Sequence, residues 1–412
     1  MNGKERVKTT LEHIEPDRVP LIEVAVGNKL GSAVMGREVN IFFSGDAIKN
    51  LIEANTKESP IDKKEFALKG YKDQLEVFSK LNIDAVPAMP GAFTLNTIDP
   101  FGHSGMNDNP AREVDIIGKN DFHIKDEHGF WSKVRYNADS DTSVIYDHSL
   151  CHEGIKGLKR LIKIWSEKDY SRLPEEWAMS VEAMKTIKDH PLYKDHYIMG
   201  YADILPPFLE PWTPLFLEWV ITEPKAVHEY MELQALGWYA VLEHEIHTGV
   251  LDGVFGSMDW CYKSGCLVSP KHFREFFAPG LKKIVELAHE NGLKYIKHCD
   301  GNISDILDIM LDYCGIDALH PIEPTGGLDI GDLKRRYGNR LTLCGNVDCG
   351  KMVNWTPEEI ESEVKKVIGI AAKGGGYIIS SSNSLHGGIP PENAFAYSDA
   401  AIKWGKYPID IH

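Results

Sequence analysis

The densest chemistry in the sequence lies at His298-Cys299-Asp300-Gly301-Asn302, where an imidazole, a thiol, a carboxyl and a carboxamide fall within five positions. An imidazole two residues from a carboxylate can relay a proton near neutral pH or offer two ligands to a cation. Groups of the same kind recur along the chain: Glu23 and Asn28, Tyr201 and Asp203, Asp259 and Cys261, His320 and Glu323, Cys344 with Asn346 and Asp348, and Ser382 with Asn383 and His386. The set is rich in oxygen donors and poor in arginine, which suits proton transfer or hard-cation chemistry better than the clamping of a polyanion. The competing reading of any one member is local. Asp300 or Asn302 could simply cap a helix beginning near Ser304, and Cys266 and Cys314 read as core residues.

These residues share one feature of position: each follows a short β-prone run. The runs are 19–25, 83–87, 197–201, 251–259, 294–298, 316–321, 341–345 and 377–381, separated by amphipathic helical stretches. Ser269-Pro270 supplies an N-cap and a first-turn proline for a helix over 271–290 that places Phe273, Phe276, Phe277, Leu281, Ile284, Val285 and Ala288 on one face and ends at Gly292. Thr356-Pro357-Glu358-Glu359 is a capping box opening a helix to about residue 373. Eight parallel strands alternating with helices predict an α/β fold, a (β/α)8 TIM barrel, as a single domain over 1–412. In such a barrel, active sites are built at the carboxyl ends of the strands, where these residues stand. The stretch 119–150 breaks the pattern, because Phe130 to Tyr136 alternates like an exposed strand, and it is expected to be a β-hairpin insertion.

Composition narrows the class. With 43% hydrophobic and 26% charged residues the 412-residue chain has the usual globular mix. The balance of 61 acidic residues against 45 lysines and arginines leaves −16, which would repel a phosphate backbone, so nucleic-acid binding is not expected. No apolar run approaches the ~18 residues of a membrane span, and the charged opening Met1 to Arg6 does not resemble a signal peptide, so a cytoplasmic protein is expected. The seven cysteines contain no Cys-x-x-Cys pair and read as reduced thiols.

The chain resembles the uroporphyrinogen decarboxylase superfamily, which includes corrinoid-linked methyltransferases of anaerobic metabolism. The resemblance is carried by Glu15-Pro16-Asp17-Arg18-Val19-Pro20, Ser269-Pro270 with Phe273-Arg274-Glu275, the His298 to Asn302 turn, Leu333-Lys334 with Tyr337-Gly338, Cys344-Gly345-Asn346-Val347-Asp348, Gly374 to Ile378, and Pro391-Glu392-Asn393. It implies the TIM barrel reached above from strand counting. The decarboxylase itself uses an arginine-rich turn after its first strand to hold tetrapyrrole carboxylates, whereas 23–30 here contains no arginine before Arg37. Family members that methylate coenzyme M bind zinc through a His-x-Cys pair and a later cysteine. Here His298 matches the histidine, Asp300 stands at the first cysteine position and Asn383 at the second, so those zinc thiolates are not retained.

What the resemblance implies is therefore the substrate-side branch: a corrinoid-dependent methyltransferase of the O-demethylase type. It would move a methyl group from a methylated small molecule, a phenyl methyl ether, to the Co(I) corrinoid of a separate corrinoid protein docked at the barrel mouth. Asp259, His298, Asp300 and Glu323 are the expected catalytic groups, assisting the leaving oxygen. Glu23, Asn28, Tyr201, Trp260, Asn346 and Asn383 are expected to bind substrate, Trp260 by walling an aromatic ring. His298 and Cys299 are the candidate metal ligands, zinc being the metal, and the family suggests a homodimer. The rival readings are a cofactor-free decarboxylase of a small acid and a non-catalytic barrel that binds a corrinoid or metal.

Overall fold

The computed structural model describes residues 1–411 apart from 42–44, 57–58, 60–61, 90–94, 96, 98–110, 112, 139–140 and 209. Its centre is a seven-stranded parallel sheet in the order Ala85–Pro87, Tyr197–Tyr201, Gly253–Ser257, Lys294–His298, Ala318–His320, Thr342–Val347 and Tyr377–Ser381. Each strand pairs with the next in chain order, as βαβ crossovers dictate. The two outer strands are bridged by the first β-prone run: Leu21 pairs with Ile379 and Ile22 with Ala85, both parallel, through bonds that include Ile22 N to Ile379 O at 3.0 Å and Asp84 N to Leu21 O at 2.7 Å. The sheet thus curls until its edges meet on the eighth segment. All eight expected strands are present, the first reduced to a short bridge.

The strands are almost wholly buried, their Val, Ile, Leu, Met and Tyr packed from both faces of the sheet. The helix expected over 271–290 forms as Pro270–His272, Phe273–Phe277 and Ala278–Glu290. Its face is buried as predicted, with Phe273, Phe277, Leu281 and Ile284 fully inaccessible, each contributing about 1.5–3 kcal/mol by transfer from water. The middle segment is a π-turn rather than α-helix. Pro279, two residues on, has no N–H to return to the carbonyl of Glu275, so the widened turn absorbs the missing bond. The capping box forms as read, with Thr356 N to Glu359 Oε2 at 2.8 Å and Glu359 N to Thr356 Oγ1 at 3.3 Å.

At the amino-terminal end of the barrel, Asp17 and Arg18 tie the first helix to the sheet. Arg6 and Arg18 both donate to Asp84, at 2.7 and 2.8 Å, Asp17 holds Arg6 at 2.7 Å, and Asp84 accepts the Leu21 N–H at 2.8 Å. This end carries the Glu15 to Pro20 motif, so that motif serves closure of the barrel and stands at the face opposite the strand ends where the chemistry lies.

The stretch expected as a hairpin over 119–150 is a four-stranded antiparallel meander, Glu113–Gly118, Asp121–Lys125, Trp131–Asn137 and Thr142–His148. Phe122, Ile124, Val134 and Ile145 pack with Leu51 and Ile52 of the helix Gly45–Ala54 into a small core of their own. Alternation was legible in the inner strand, but Glu113–Gly118 exposes Ile116 and Ile117 side by side, so its period is hidden in the sequence.

Candidate active site

Two neighbouring strands bring the central group together. His298 ends the strand Lys294–His298, Asp259 lies two residues beyond Gly253–Ser257, and Asp300 follows His298 across the turn. The register sets His298 opposite Ser257 on one side and His320 on the other. His298 Nε2 lies 3.5 Å from Asp259 Oδ1 and 3.5 Å from Asp300 Oδ1, placing one imidazole N–H between two carboxylates. Asp259 Oδ1 also accepts the Asp300 N–H at 2.8 Å. Asn383, from beyond the last strand, donates to Asp300 Oδ2, and Ser384 Oγ holds the Asn383 carbonyl at 2.9 Å.

Protonation follows from these neighbours. Burial and the charges of Asp259 and Glu323 push Asp300 up to about 7, against the opposing pull of His298. For Asp259, burial acts upward but is outweighed by His298 and the Asp300 N–H, so its carboxyl lies below the usual range. His298 is raised: burial would lower it, but Asp300 and Asp259 more than compensate. On its far side His298 Nδ1 meets His320 Nδ1 at 2.8 Å, the rings stacked 5.0 Å apart. Burial and the charge of His298 hold His320 far below the ordinary histidine value, so His320 is neutral and accepts a hydrogen bond from the His298 Nδ1–H. The arrangement near pH 7 is an imidazolium against an Asp259 carboxylate, beside an acid that exchanges its proton in that range.

The turn is fixed from its neighbours. Glu323 Oε2 accepts the Gly301 N–H at 2.8 Å, which makes Glu323 a clamp on the turn, while its charge raises Asp300. Gly301 has φ +83, and a Cβ there would lie 2.7 Å from the carbonyl oxygens of Cys261 and Tyr262, so only glycine fits. Asn302 caps the turn, accepting Ser304 N at 3.1 Å. The local capping role open to Asp300 or Asn302 thus falls to Asn302 alone.

Lys297 was not among the expected groups. It is inaccessible, donating to Asp203 Oδ2 at 2.6 Å and to the carbonyls of Met258 at 3.0 Å and His298 at 2.5 Å. Asp203 in turn accepts Met258 N at 2.8 Å. The pair therefore fixes the peptides on which Asp259 and His298 sit. A signal existed: a lysine inside the apolar strand Lys294–His298 must find a buried anion.

Several expected substrate contacts are used internally. Glu23 is inaccessible and accepts Ser381 N and Ser381 Oγ at 2.7 Å and the Tyr397 hydroxyl at 2.8 Å, fastening the first strand to the last; burial pushes it up to about 7. Asn28 accepts Ile41 N at 2.5 Å and donates to Asp46 at 3.1 Å. The Tyr201 hydroxyl meets Ser257 Oγ at 3.1 Å, with its ring against Trp238. Trp260 is inaccessible, pressed on Phe273 at 4.7 Å and under the Lys297 ammonium at 4.2 Å, so it cannot wall a ring. Asn346 lies buried on Thr342–Val347 beside Ser380. Asn383 alone of the six bonds to the central group.

The donor atoms of Asp259, His298 and Asp300 lie within 4.8 Å of one another, and Asp300 Oδ1 is buried with no hydrogen-bond partner. The three fit a divalent cation with O and N preference. Cys299 does not join them: its sulfur accepts the Trp260 N–H at 3.3 Å and is inaccessible. The metal pair expected at His298 and Cys299 is thus replaced, as a geometric candidate, by His298 with the two aspartates.

This geometry coincides with a family match. Uroporphyrinogen decarboxylase (URO-D) is the family matched, over residues 213–404, the stretch that holds Asp259, His298, Asp300, Glu323 and Asn383. Similar curated proteins are the uroporphyrinogen decarboxylase of Pseudoalteromonas atlantica, 28% identical over 190 residues, covering 44% of this chain and 50% of that protein, and that of Shewanella piezotolerans, 30% identical over 197 residues, covering 45% and 51%. The chain spans about half the length of the curated relatives it matches. Among solved structures, a methyltransferase from Methanosarcina mazei superposes with a TM-score of 0.62 at 17% identity, over 98% of this chain and 99% of that one, a likeness of fold. Among the described residues no helix is long and apolar enough to cross a membrane.

Proposed function

We propose that this URO-D-like barrel is a methyltransferase that takes the methyl group of a methylated small molecule, a phenyl methyl ether in the first instance, and delivers it to the Co(I) corrinoid of a separate corrinoid protein. The observation that carries the reading is the convergence of an acid poised near 7, Asp300, with His298 and Asp259 at the carboxyl ends of the strands. The name of the structural neighbour from Methanosarcina mazei is consistent with this choice.

The corrinoid, as co-substrate, supplies the nucleophile that accepts the methyl group; the chain's task is the oxygen left behind. As the carbon–oxygen bond lengthens, negative charge gathers on that oxygen, and a proton delivered there lowers the barrier. Asp300 holds this proton. His298, protonated and anchored on neutral His320, supplies a positive charge 3.5 Å from Asp300 and can re-protonate it after turnover. Asp259 keeps His298 charged, and Asn383 fixes the Asp300 carboxyl in place. Zinc, where bound, would sit on Asp259, His298 and Asp300 and would supply Lewis-acid assistance to the same oxygen.

The direct test is incubation of the protein with a panel of methoxylated aromatics and reduced cobalamin, following the absorbance change of cobalamin methylation. Methylation with at least one member supports the reading, and none across the panel sinks it. Decarboxylation of a small acid is the second reading, favoured by the family match. A tetrapyrrole substrate is disfavoured, because Arg37, the first arginine after the first strand, is spent on Asp73 at 2.7 Å and on Glu76.

A further inference from the structure

Three of the seven cysteines gather beside the Asp300 turn. The short hairpin formed by Cys261–Tyr262 and Gly265–Cys266 sets Cys261 opposite Cys266 and Tyr262 opposite Gly265. The next pair outward, Trp260 and Leu267, is hydrogen-bonded, with Leu267 N to Trp260 O at 2.9 Å. Antiparallel pairs alternate, so Cys261 and Cys266 form a non-hydrogen-bonded pair, in which Cα atoms approach to about 4.5 Å and the side chains share one face. That spacing lies within the roughly 4.4–6.8 Å that a disulfide spans. Cys266 is half-buried and Cys261 nearly inaccessible, while Cys299 borders Cys261 from the neighbouring strand end.

We propose that Cys261 and Cys266 form a reversible cross-strand disulfide on exposure to a peroxide. The more open Cys266 reacts first: its sulfur bonds to one oxygen of hydrogen peroxide, giving a sulfenic acid, as the oxygen–oxygen bond breaks and the other oxygen leaves as water with the thiol proton. The Cys261 sulfur then attacks that of Cys266. The sulfur–sulfur bond forms as the sulfur–oxygen bond breaks, and the departing oxygen takes the Cys261 proton as a second water. The two thiols together lose two electrons and two protons, and one peroxide becomes two waters. A dithiol reverses the step by exchange.

The bond would close over the residues that hold the candidate site. Tyr262 O accepts Asn302 N at 2.9 Å, and the Cys261 and Tyr262 carbonyls press against Gly301. A staple between Cys261 and Cys266 therefore locks the hairpin on which the Asp300 turn rests. It draws the Cys261 sulfur toward Cys266 and away from Cys299. The inference does not depend on the methyl-transfer reading.

Lys263 lies between the two cysteines, so tryptic cleavage after it turns the disulfide into two linked peptides that separate on reduction. The reduced full-length protein is treated with equimolar hydrogen peroxide, alkylated under denaturing conditions and mapped by mass spectrometry. The expected result is selective loss of alkylation at Cys261 and Cys266, a linked pair of peptides, and recovery of both thiols with dithiothreitol. Cys299→Ser should keep the link, while Cys266→Ser, at a half-buried position, should abolish it with the circular dichroism unchanged. A link between Cys261 and Cys299, full alkylation of both hairpin cysteines after peroxide, or oxidation of Cys266 that stops short of a link would each overturn the proposal.

Discussion

Replacing Asp300 with asparagine should move stability and activity in opposite directions, and the first effect has a calculable pH dependence. The folded carboxyl titrates at about 7 against an ordinary value of 3.8. Between those values the folded state keeps a proton that the unfolded chain has released, so stability falls as pH rises through the window and the whole cost is present above about 7. At 1.36 kcal/mol per unit, the interval of 3.2 corresponds to about 4 kcal/mol. Since 23% of the side chain is exposed, solvent relaxation reduces this to something on the order of 2–4 kcal/mol. Asparagine has nearly the same shape, can still accept from Asn383, and never ionises. Asp300→Asn should therefore be more stable than the parent at pH 8 by about that amount, with the advantage gone near pH 4. Urea unfolding at both pH values measures it. An advantage that does not grow with pH, or a variant less stable at pH 8, would show that Asp300 is not an acid strained by burial and by Asp259. Methyl transfer in the same variant should fall by about 10²–10⁴-fold, because asparagine has no proton to give.

In the parent protein, kcat for methyl transfer should decline as pH rises through about 7, where Asp300 loses its proton, and a flat profile from pH 6 to 8.5 would remove it as the acid. His298→Ala should lower activity by about 10²–10⁴-fold; if zinc is held by the three side chains, elemental analysis should show it in the parent and deplete it in this variant and in Asp259→Ala. Lys297→Met strands the Asp203 carboxylate in the core and should cost about 3–5 kcal/mol in urea unfolding, and a loss under 1 kcal/mol would contradict the buried pair. Gly301→Ala, forced to φ +83 against two carbonyls, should lose about 1–3 kcal/mol and also impair activity by displacing Asp300.

The barrel was legible because its strands announce themselves by what they must be: short apolar runs, doubly covered, each followed by a capped helix. Ser269-Pro270 and Thr356 with Glu359 formed the caps their spacing requires. The candidate site was legible in part. His298, Asp300 and Asp259 stand at strand ends in the sequence, and strand register alone makes neighbours of them. Spacing could not tell which strand-end groups face one another and which turn inward. Glu23 and Trp260 share that address with Asp259, yet one is sealed among Ser381 and Tyr397 and the other among Phe273 and Lys297. The direction of a side chain at a strand's last residues depends on where the strand ends, and a one-residue change reverses it.

The same register argument makes neighbours of positions 300 and 383, the places where the family resemblance implied zinc thiolates. Position 300 lies across from position 383 because the turn after one strand and the loop after the last meet over the barrel, whatever side chains they bear. Aspartate and asparagine at these places keep the proximity and exchange a soft, thiolate environment for one of oxygen donors. With oxygen donors in place of thiolates, the mostly buried carboxyl of Asp300 is hydrogen-bonded to Asn383 through one oxygen, while the other makes no hydrogen bond and faces His298 at 3.5 Å, next to a second carboxylate. Such a group must hold a proton, face a cation, or stay a carboxylate at high cost. Each of the first two gives the barrel mouth an electrophile, and metal content together with the pH profile decides between them.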